Sequence, residues 1–400
     1  MRKTISVNKL RPGMFLDELG TSWLDHPFWR NSFLIADEKE IQQIRDANIQ
    51  EVTIDTRRGS DLAETQGQDD KAEPAPDDSL TSSSRFRPVS LEDEMKQAAR
   101  LKRQAANAVK ETLEQARMGQ AIKSEDLSHL VEEISDSIIR QPSAMLGLVR
   151  IKHSDEYTYM HSVAVCALMI ALARQLGLEE DEVKQAGMSG LMHDVGKAFV
   201  PNEILNKPAR LSDEEFRIIQ THPEKGYQAL VDSGEKSRIV LDVVRHHHEK
   251  INGDGYPRGL PDSSISLFAR MGSVCDVYDA VTSDRPYKRG WDPADALSRM
   301  AHWTGGQLDK KVFQAFVKTI GIYPTGSLVR LSSGRLAVVL DQNADNLLKP
   351  RVKVFYSTNA GTRLQPKVVD LSRPGASERI ECKEDPAEWD FKDLESLWAQ

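Results

Sequence analysis

Histidines and acidic residues gather between residues 157 and 288 of this chain: His161, the doublet His193-Asp194, His222, the run His246-His247-His248-Glu249, and Asp276. Imidazoles and carboxylates are ligands for hard and borderline divalent cations. Their spacing is too wide for one loop or one helix. If they share a site, several helices must project them into a common interior, as in helical hydrolases that hold more than one metal ion. Such a centre lowers the pKa of a water and offsets charge on a phosphoryl group.

The flanking residues indicate how each ligand is presented. His161 lies near the start of an apolar helical stretch, Tyr159 to Leu176, closed by Gly177. A lone histidine on such a helix is usually a core residue; the rest of the set argues for a ligand. His193-Asp194 follows a helical pattern through Val183, Ala186, Gly190 and Leu191. Adjacent helical residues diverge by about 100°, so both reach one centre only where the helix ends, and Gly196 marks an end. An aspartate placed there can give one oxygen to each of two cations, and Lys197 supplies charge for a phosphate. Ser212-Asp213-Glu214-Glu215 is a capping box. Its helix runs to His222-Pro223, where the proline argues against further regular helix. Val240, Val243 and Val244 precede His247 and His248 at helical spacing, so that apolar face turns both histidines inward while His246 points elsewhere. Asp276 stands in the apolar segment Val274-Cys275-Asp276-Val277, where a carboxylate needs a metal or a buried salt bridge.

The elements around these residues divide the chain. Residues 1–58 read as a small mixed α/β domain, with a strand at Glu51 to Asp55 and helical spacing from Asp37 to Ala47. Its aromatic segment, Trp23, His26, Pro27, Phe28 and Trp29, fits a small core better than a ligand surface. Residues 59–89 read as a flexible linker, with five Asp and two Glu against one Lys from Gly59 to Leu80. Residues 90–150 form a helical connector, opened by a long helix from Leu91 to Met118. The shallow stripe of that helix, from Met95 to Ala116, fits either packing on its own domain or a dimerising stalk. Residues 151–322 are overwhelmingly helical. Beyond Tyr323-Pro324 the period shortens, and 328–331, 336–340 and 351–355 read as strands of a small β appendage, 323–400. The fold class is mainly α, with a helical core, a small N-terminal mixed domain and a small C-terminal β appendage.

Composition excludes several alternatives. A net charge of −8 argues against a nucleic-acid polymer as partner, though a local cluster of Lys, Arg and metal could still hold a small anion. The three cysteines, Cys166, Cys275 and Cys382, are scattered and odd in number, which fits a reducing cytoplasm. The N-terminus lacks the apolar core of a signal peptide, and the longest apolar run, Val163 to Ala173, is too short to span a bilayer. A cytoplasmic protein without a membrane span is expected.

Over residues 150–320 the chain resembles the HD-GYP family of cyclic di-GMP phosphodiesterases. The resemblance rests on His193-Asp194-Val195-Gly196-Lys197, His247-His248-Glu249, Gly255-Tyr256-Pro257, Val274 to Ala280, and Thr282-Ser283-Asp284-Arg285-Pro286-Tyr287-Lys288. It implies an all-α metal phosphohydrolase core that opens cyclic di-GMP to pGpG, and in many members onward to GMP. It places metal ligands at His161, His193, Asp194, His222, His247, His248 and Asp276. Catalytic roles fall to Asp194 and Lys197, and substrate contacts to Lys197, Arg285, Lys288 and Tyr256. Residues 1–58 resemble a domain of unknown function found ahead of some members. Trinuclear members carry a glutamate four residues before the first histidine; that position is Tyr157 here, with Glu156 one residue off, which favours two cations over three. Asn252 stands where the family usually has aspartate. Two divalent ions, iron or manganese, suit the mixed imidazole and carboxylate shell. The rival readings are a catalytically weak sensor of cyclic di-GMP, a module docking a diguanylate cyclase or adaptor through the Gly-Tyr-Pro loop, and a phosphohydrolase for another nucleotide.

Overall fold

The computed structural model describes residues 2–18, 33–35, 41–42, 44–45, 51–60, 91–151, 157–207, 209–284, 289–343, 345–389, 391 and 393–399. At the N-terminus, strands β1 (Arg2–Ser6), β2 (Phe15–Glu18), β3 (Phe33–Leu34) and β4 (Glu51–Asp55) form an antiparallel sheet in the order β1-β4-β2-β3. Alternation in β4 turns Val52 and Ile54 into a core shared with Ile5, Leu16, Ile41 and Ile44. Residues 41–42 and 44–45 are helical, within the segment expected to be so. The aromatic segment from Trp23 to Trp29, and residues 61–90 of the linker, lie outside the described residues.

The helical unit opens with α1 (Leu91–Arg117). Met95, Ala98, Leu101, Ala105, Val109, Leu113 and Ala116 are all buried. They face α2 (Ser128–Arg140), α3 (Pro142–Leu148) and the turn Val195–Phe199. The stripe is therefore covered by its own unit and is not free to serve as a stalk. A buried ion pair pins the same contact: Arg140 Nε donates to Glu94 Oε2 at 2.7 Å, and Ser137 Oγ donates to Glu94 Oε1 at 2.7 Å.

The central helix α4 (Tyr157–Gln175) is buried along Val163 to Ala173, which accounts for the apolar run: it has no solvent face to keep polar. It is followed by α5 (Glu180–Met192), α6 (Asn202–Leu205), α7 (Asp213–Ile219), α8 (His222–Asp232), α9 (Arg238–His246), α10 (Leu267–Thr282), α11 (Pro293–Ala301) and α12 (Lys310–Ile320). The capping box forms as expected, with Ser212 Oγ accepting from Glu215 N at 3.2 Å and Glu215 Oε2 from Ser212 N at 2.7 Å. The helix after Ser212 does stop before His222-Pro223, at Ile219, and His222 stands at a helix end; what departs from expectation is that regular helix resumes there. Rather than ending regular helix, these residues begin α8, because a proline in the first turn lacks only an N–H that would have no helical partner.

The C-terminal sheet comprises β5 (Leu328–Leu331), β6 (Arg335–Asp341), β7 (Arg351–Ser357), β8 (Thr362–Asp370) and β9 (Ile380–Lys383), antiparallel in the order β8-β7-β6-β5-β9. It is fastened to the helices by Ser143 Oγ and Gln141 Nε2, which donate to Asp341, and by Lys383, which pairs with Asp292 at 3.2 Å and Asp295 at 2.6 Å. The architecture is the expected one, mainly α with a small sheet at each end. No helix among the described residues is long and apolar enough to cross a membrane.

Candidate metal centre

α5 ends at Met192, His193 is its C-cap, still with helical dihedrals, and Asp194 turns away with φ −99° and ψ 9°. This break lets both side chains face one interior. Gly196 then lies against the start of α8, where any Cβ would overlap the His222 carbonyl. The glycine thus permits the close approach that brings His222 to Asp194. Ser237 Oγ caps α9 by accepting from Val240 N at 3.1 Å, and the buried Val240, Val243 and Val244 fix the face that turns His247 inward. Ser266 caps α10, whose buried face carries Asp276.

Six of these side chains are buried: His161, His193, Asp194, His222, His247 and Asp276; His248 is half-buried at the rim. Their donor atoms fall into two groups. Asp194, His222, His247 and His248 form one; His161, His193 and Asp276 form the other, with atoms inside each group within 4.8 Å of one another. Asp194 lies between them. Its Oδ2 is 3.5 Å from His161 Nε2 and 3.3 Å from His193 Nε2, while its Oδ1 is 3.3 Å from His222 Nε2 and 4.0 Å from His247 Nε2. Asp276 spans the groups in the same way, with Oδ1 3.0 Å from His161 Nε2 and Oδ2 3.6 Å from His248 Nδ1.

The outer ring nitrogens fix the tautomers. His193 Nδ1 lies 2.8 Å from Gly190 O, His222 Nδ1 2.8 Å from Ile219 O, and His247 Nδ1 3.0 Å from Val243 O. A carbonyl oxygen can only accept, so each Nδ1 carries the proton and donates. His161 Nδ1 donates to the buried Asp279 Oδ2 at 2.6 Å. In the neutral rings every Nε2 is then a bare lone pair. These lone pairs face each other at 3.3 Å between His222 and His247 and at 3.2 Å between His161 and His193. Two acceptors at such a distance repel unless positive charge stands between them. Asp194 Oδ1, also buried, has no hydrogen-bond partner among the described residues. A donor set of imidazole nitrogens and carboxylate oxygens left in need of positive charge fits divalent cations.

The electrostatics agree. Burial, with His248 beside it, holds His247 well below the usual imidazole range, and burial pushes His248 down to about 3. Burial works against ionised Asp194 and Asp276, yet neighbouring His193 and Lys197, and His161 and His248, keep both well below the usual carboxylate range. Burial also opposes a charged His161, but Asp276 and Asp279 outweigh it and raise its pKa. Neutral His247 and His248 and ionised Asp194 and Asp276 are ligand forms, while Asp276 and Asp279 favour positive charge on or beside His161.

Of the remaining expected site residues, Lys197 Nζ donates to Asp194 Oδ2 at 2.5 Å. Tyr256 stacks on His248, ring centroids 4.6 Å apart. Its loop is anchored by buried Glu249, which accepts from Arg258 N at 2.8 Å and Leu260 N at 2.9 Å, and by Gly255, which packs on the Glu249 backbone where a Cβ would not fit. Asn252 donates to Asp254 within the loop. His246 faces away from the centre and pairs with Asp242 at 2.8 Å. Arg285, Lys288, Glu156 and the Tyr157 side chain lie outside the described residues. Sequence reasoning gave Asp279 no role; its signal was its position three residues after Asp276, on the same face of α10.

The fold and this centre define an HD-type phosphohydrolase. Residues 134–312 match the family described as HD domain, and residues 2–127 match a domain of unknown function, DUF3391. Over the whole chain and 96% of the relative's length, the sequence is 52% identical to cyclic di-GMP phosphodiesterase PA4108 of Pseudomonas aeruginosa. It is 35% identical, over 44% of this chain and 41% of the relative, to 3'3'-cGAMP-specific phosphodiesterase 1 of Vibrio cholerae. Among solved structures it is similar to Bd1817, an HDG"Y"P protein from Bdellovibrio bacteriovorus, with TM-score 0.48 and 18% identity over 79% of this chain and 98% of that one. The chain belongs to the HD-GYP family of phosphodiesterases.

Proposed function

We propose that this enzyme hydrolyses cyclic di-GMP to pGpG at a centre holding two divalent cations, iron or manganese. The observation that carries the reading is the pair of facing Nε2 atoms on either side of Asp194, each side completed by a second carboxylate oxygen or ring nitrogen. The name of the full-length relative supports the choice of substrate. His161, His193 and Asp276 would hold one ion and His222, His247 and His248 the other, with Asp194 giving one oxygen to each. Bound there, the ions would acidify a water and offset phosphoryl charge.

The chain's own residues do the rest. Asp279 and the backbone carbonyls hold the rings in their ligand tautomer. Lys197, with Arg285 and Lys288, neutralises the phosphodiester. Tyr256, backed by His248, lines the rim for a base. Residues 151–322 form the catalytic part, in a cytoplasmic protein. Exposed Asp254 and Arg258 leave the Gly-Tyr-Pro loop open to a cyclase, an adaptor or a second copy of the chain.

The test is turnover of cyclic di-GMP and 3'3'-cGAMP by protein loaded anaerobically with Fe(II) or Mn(II), with products separated by chromatography. Conversion of cyclic di-GMP to pGpG, with two metals per chain and GMP slow or absent, is expected. Preferential turnover of 3'3'-cGAMP, or three metals with GMP formed as fast as pGpG, defeats the proposal as stated.

A further inference from the structure

A cleft of about 650 Å³ opens in the C-terminal sheet, between the edge strand β8 and the loop that leads to β9. Its walls carry Arg351, Lys367 and Arg373 against Asp370 and Glu378. None of the metal-centre residues lines it.

The two acids are already engaged. Asp370 Oδ1 accepts from Ser372 N at 3.0 Å and from Ser372 Oγ at 2.6 Å. Glu378 accepts from Arg335 and, at 3.3 Å, from Ser333 N. The cations are not matched in the same way. Arg351 pairs loosely with Asp341 and Arg373 with Asp370, each at 3.6 Å. Lys367 has no partner among the described residues. In a chain of net charge −8, this is a concave patch with positive charge to spare. Its loop is held in a turn, Ala376 N donating to Arg373 O at 3.0 Å, with Gly375 at φ 82°, so the walls are formed in advance. The volume suits a nucleotide-sized ligand. No aromatic ring lines the cleft, so its walls offer charge for a phosphate and no stacking surface for a base.

We propose that this cleft is a second anion site, taking a terminal phosphate group carried on a small molecule such as a mononucleotide. It is independent of the metal centre, and the experiment is done without metal or turnover, so failure here leaves the phosphodiesterase reading untouched. Full-length protein stripped of metal by a chelator is titrated calorimetrically with GMP, AMP, inorganic pyrophosphate and guanosine. GMP and AMP should bind alike and guanosine not at all. Pyrophosphate binding as tightly as GMP would identify phosphate alone as the recognised group, and weaker binding would show that the carrier adds contacts; either supports the site. The charge-reversed pair Lys367→Glu and Arg373→Glu should weaken GMP binding by at least about fivefold while leaving the melting temperature and the metal content after reloading unchanged. Guanosine binding as well as GMP, no saturable nucleotide binding, or a smaller loss in the charge-reversed protein overturns the proposal.

Discussion

Replacing Asp279 tests whether the histidines are held as ligands by their outer partners. Asp279 is bonded to His161 at 2.6 Å, with both groups buried. Its proposed work is orientational: it takes the Nδ1 proton and leaves Nε2 bare toward His193 and Asp276. Removing such a partner typically costs about 10–100-fold in metal affinity, or about 1.4–2.7 kcal/mol. A short, buried, charge-assisted bond belongs in the upper part of that range. Asp279→Ala should therefore weaken metal retention by about 30–100-fold, measured by chelator competition with elemental analysis. It also leaves a buried N–H unmet, costing about 1–3 kcal/mol of stability, so unfolding of the metal-free variant must be followed in parallel. Asp279→Asn separates orientation from charge, because its amide oxygen can still accept. That variant should stay within about tenfold of the parent. Ala retaining metal as well as the parent, or Asn failing as badly as Ala, would refute the orientational role.

Three further outcomes follow from the same geometry. Asp194→Ala removes the oxygens that face both groups, and should abolish hydrolysis and lower metal content together; full activity excludes it from the centre. His246→Ala should keep its metals and at least about a tenth of its activity, an allowance of about 1.4 kcal/mol, and a loss as deep as that of His247→Ala would show that α9 presents another face. Gly196→Ala forces a methyl into the first turn of α8 and should cost about 1–3 kcal/mol or more by overpacking. Metal content should fall with it as His222 is displaced, and an unchanged melting temperature would contradict the close packing.

The strands β8 and β9 show where pattern reading runs out. β5, β6 and β7 are interior to the sheet and are rich in buried residues, so they stand out in the sequence. β8 and β9 are its two edges, and their side chains are mostly exposed. β8 even holds Pro366, which an edge tolerates because a residue there can do without the N–H that an inner strand needs on both sides. Edge strands are specified by the backbone groups of the strand inside them, and that information is absent from their own residues. The start of α8 failed for a related reason. Pro223 reads as a breaker, and only the helix that follows reveals it as a first-turn residue.

The centre divides along the same line. The types and faces of the candidate ligands were legible because imidazoles and carboxylates sit at helical spacing from buried valines, as His247 does from Val243 and Val244. What would make them ligands was not. That depends on which ring nitrogen carries a proton, and here the deciding acceptors are mostly backbone carbonyls of Gly190, Ile219 and Val243, which every residue type supplies. A sequence cannot mark such an acceptor. The helix geometry creates it, because a histidine at or just beyond a helix terminus can turn its Nδ1 onto a carbonyl three or four residues back. His193 and His247 both occupy the residue just after the last helical turn, of α5 and α9, and each uses that carbonyl to turn its other nitrogen inward. His161, inside α4, has its nearby carbonyls engaged in the helix, and it is this histidine whose Nδ1 meets a side chain, Asp279. The requirement for Asp279 thus follows from where His161 stands in its helix.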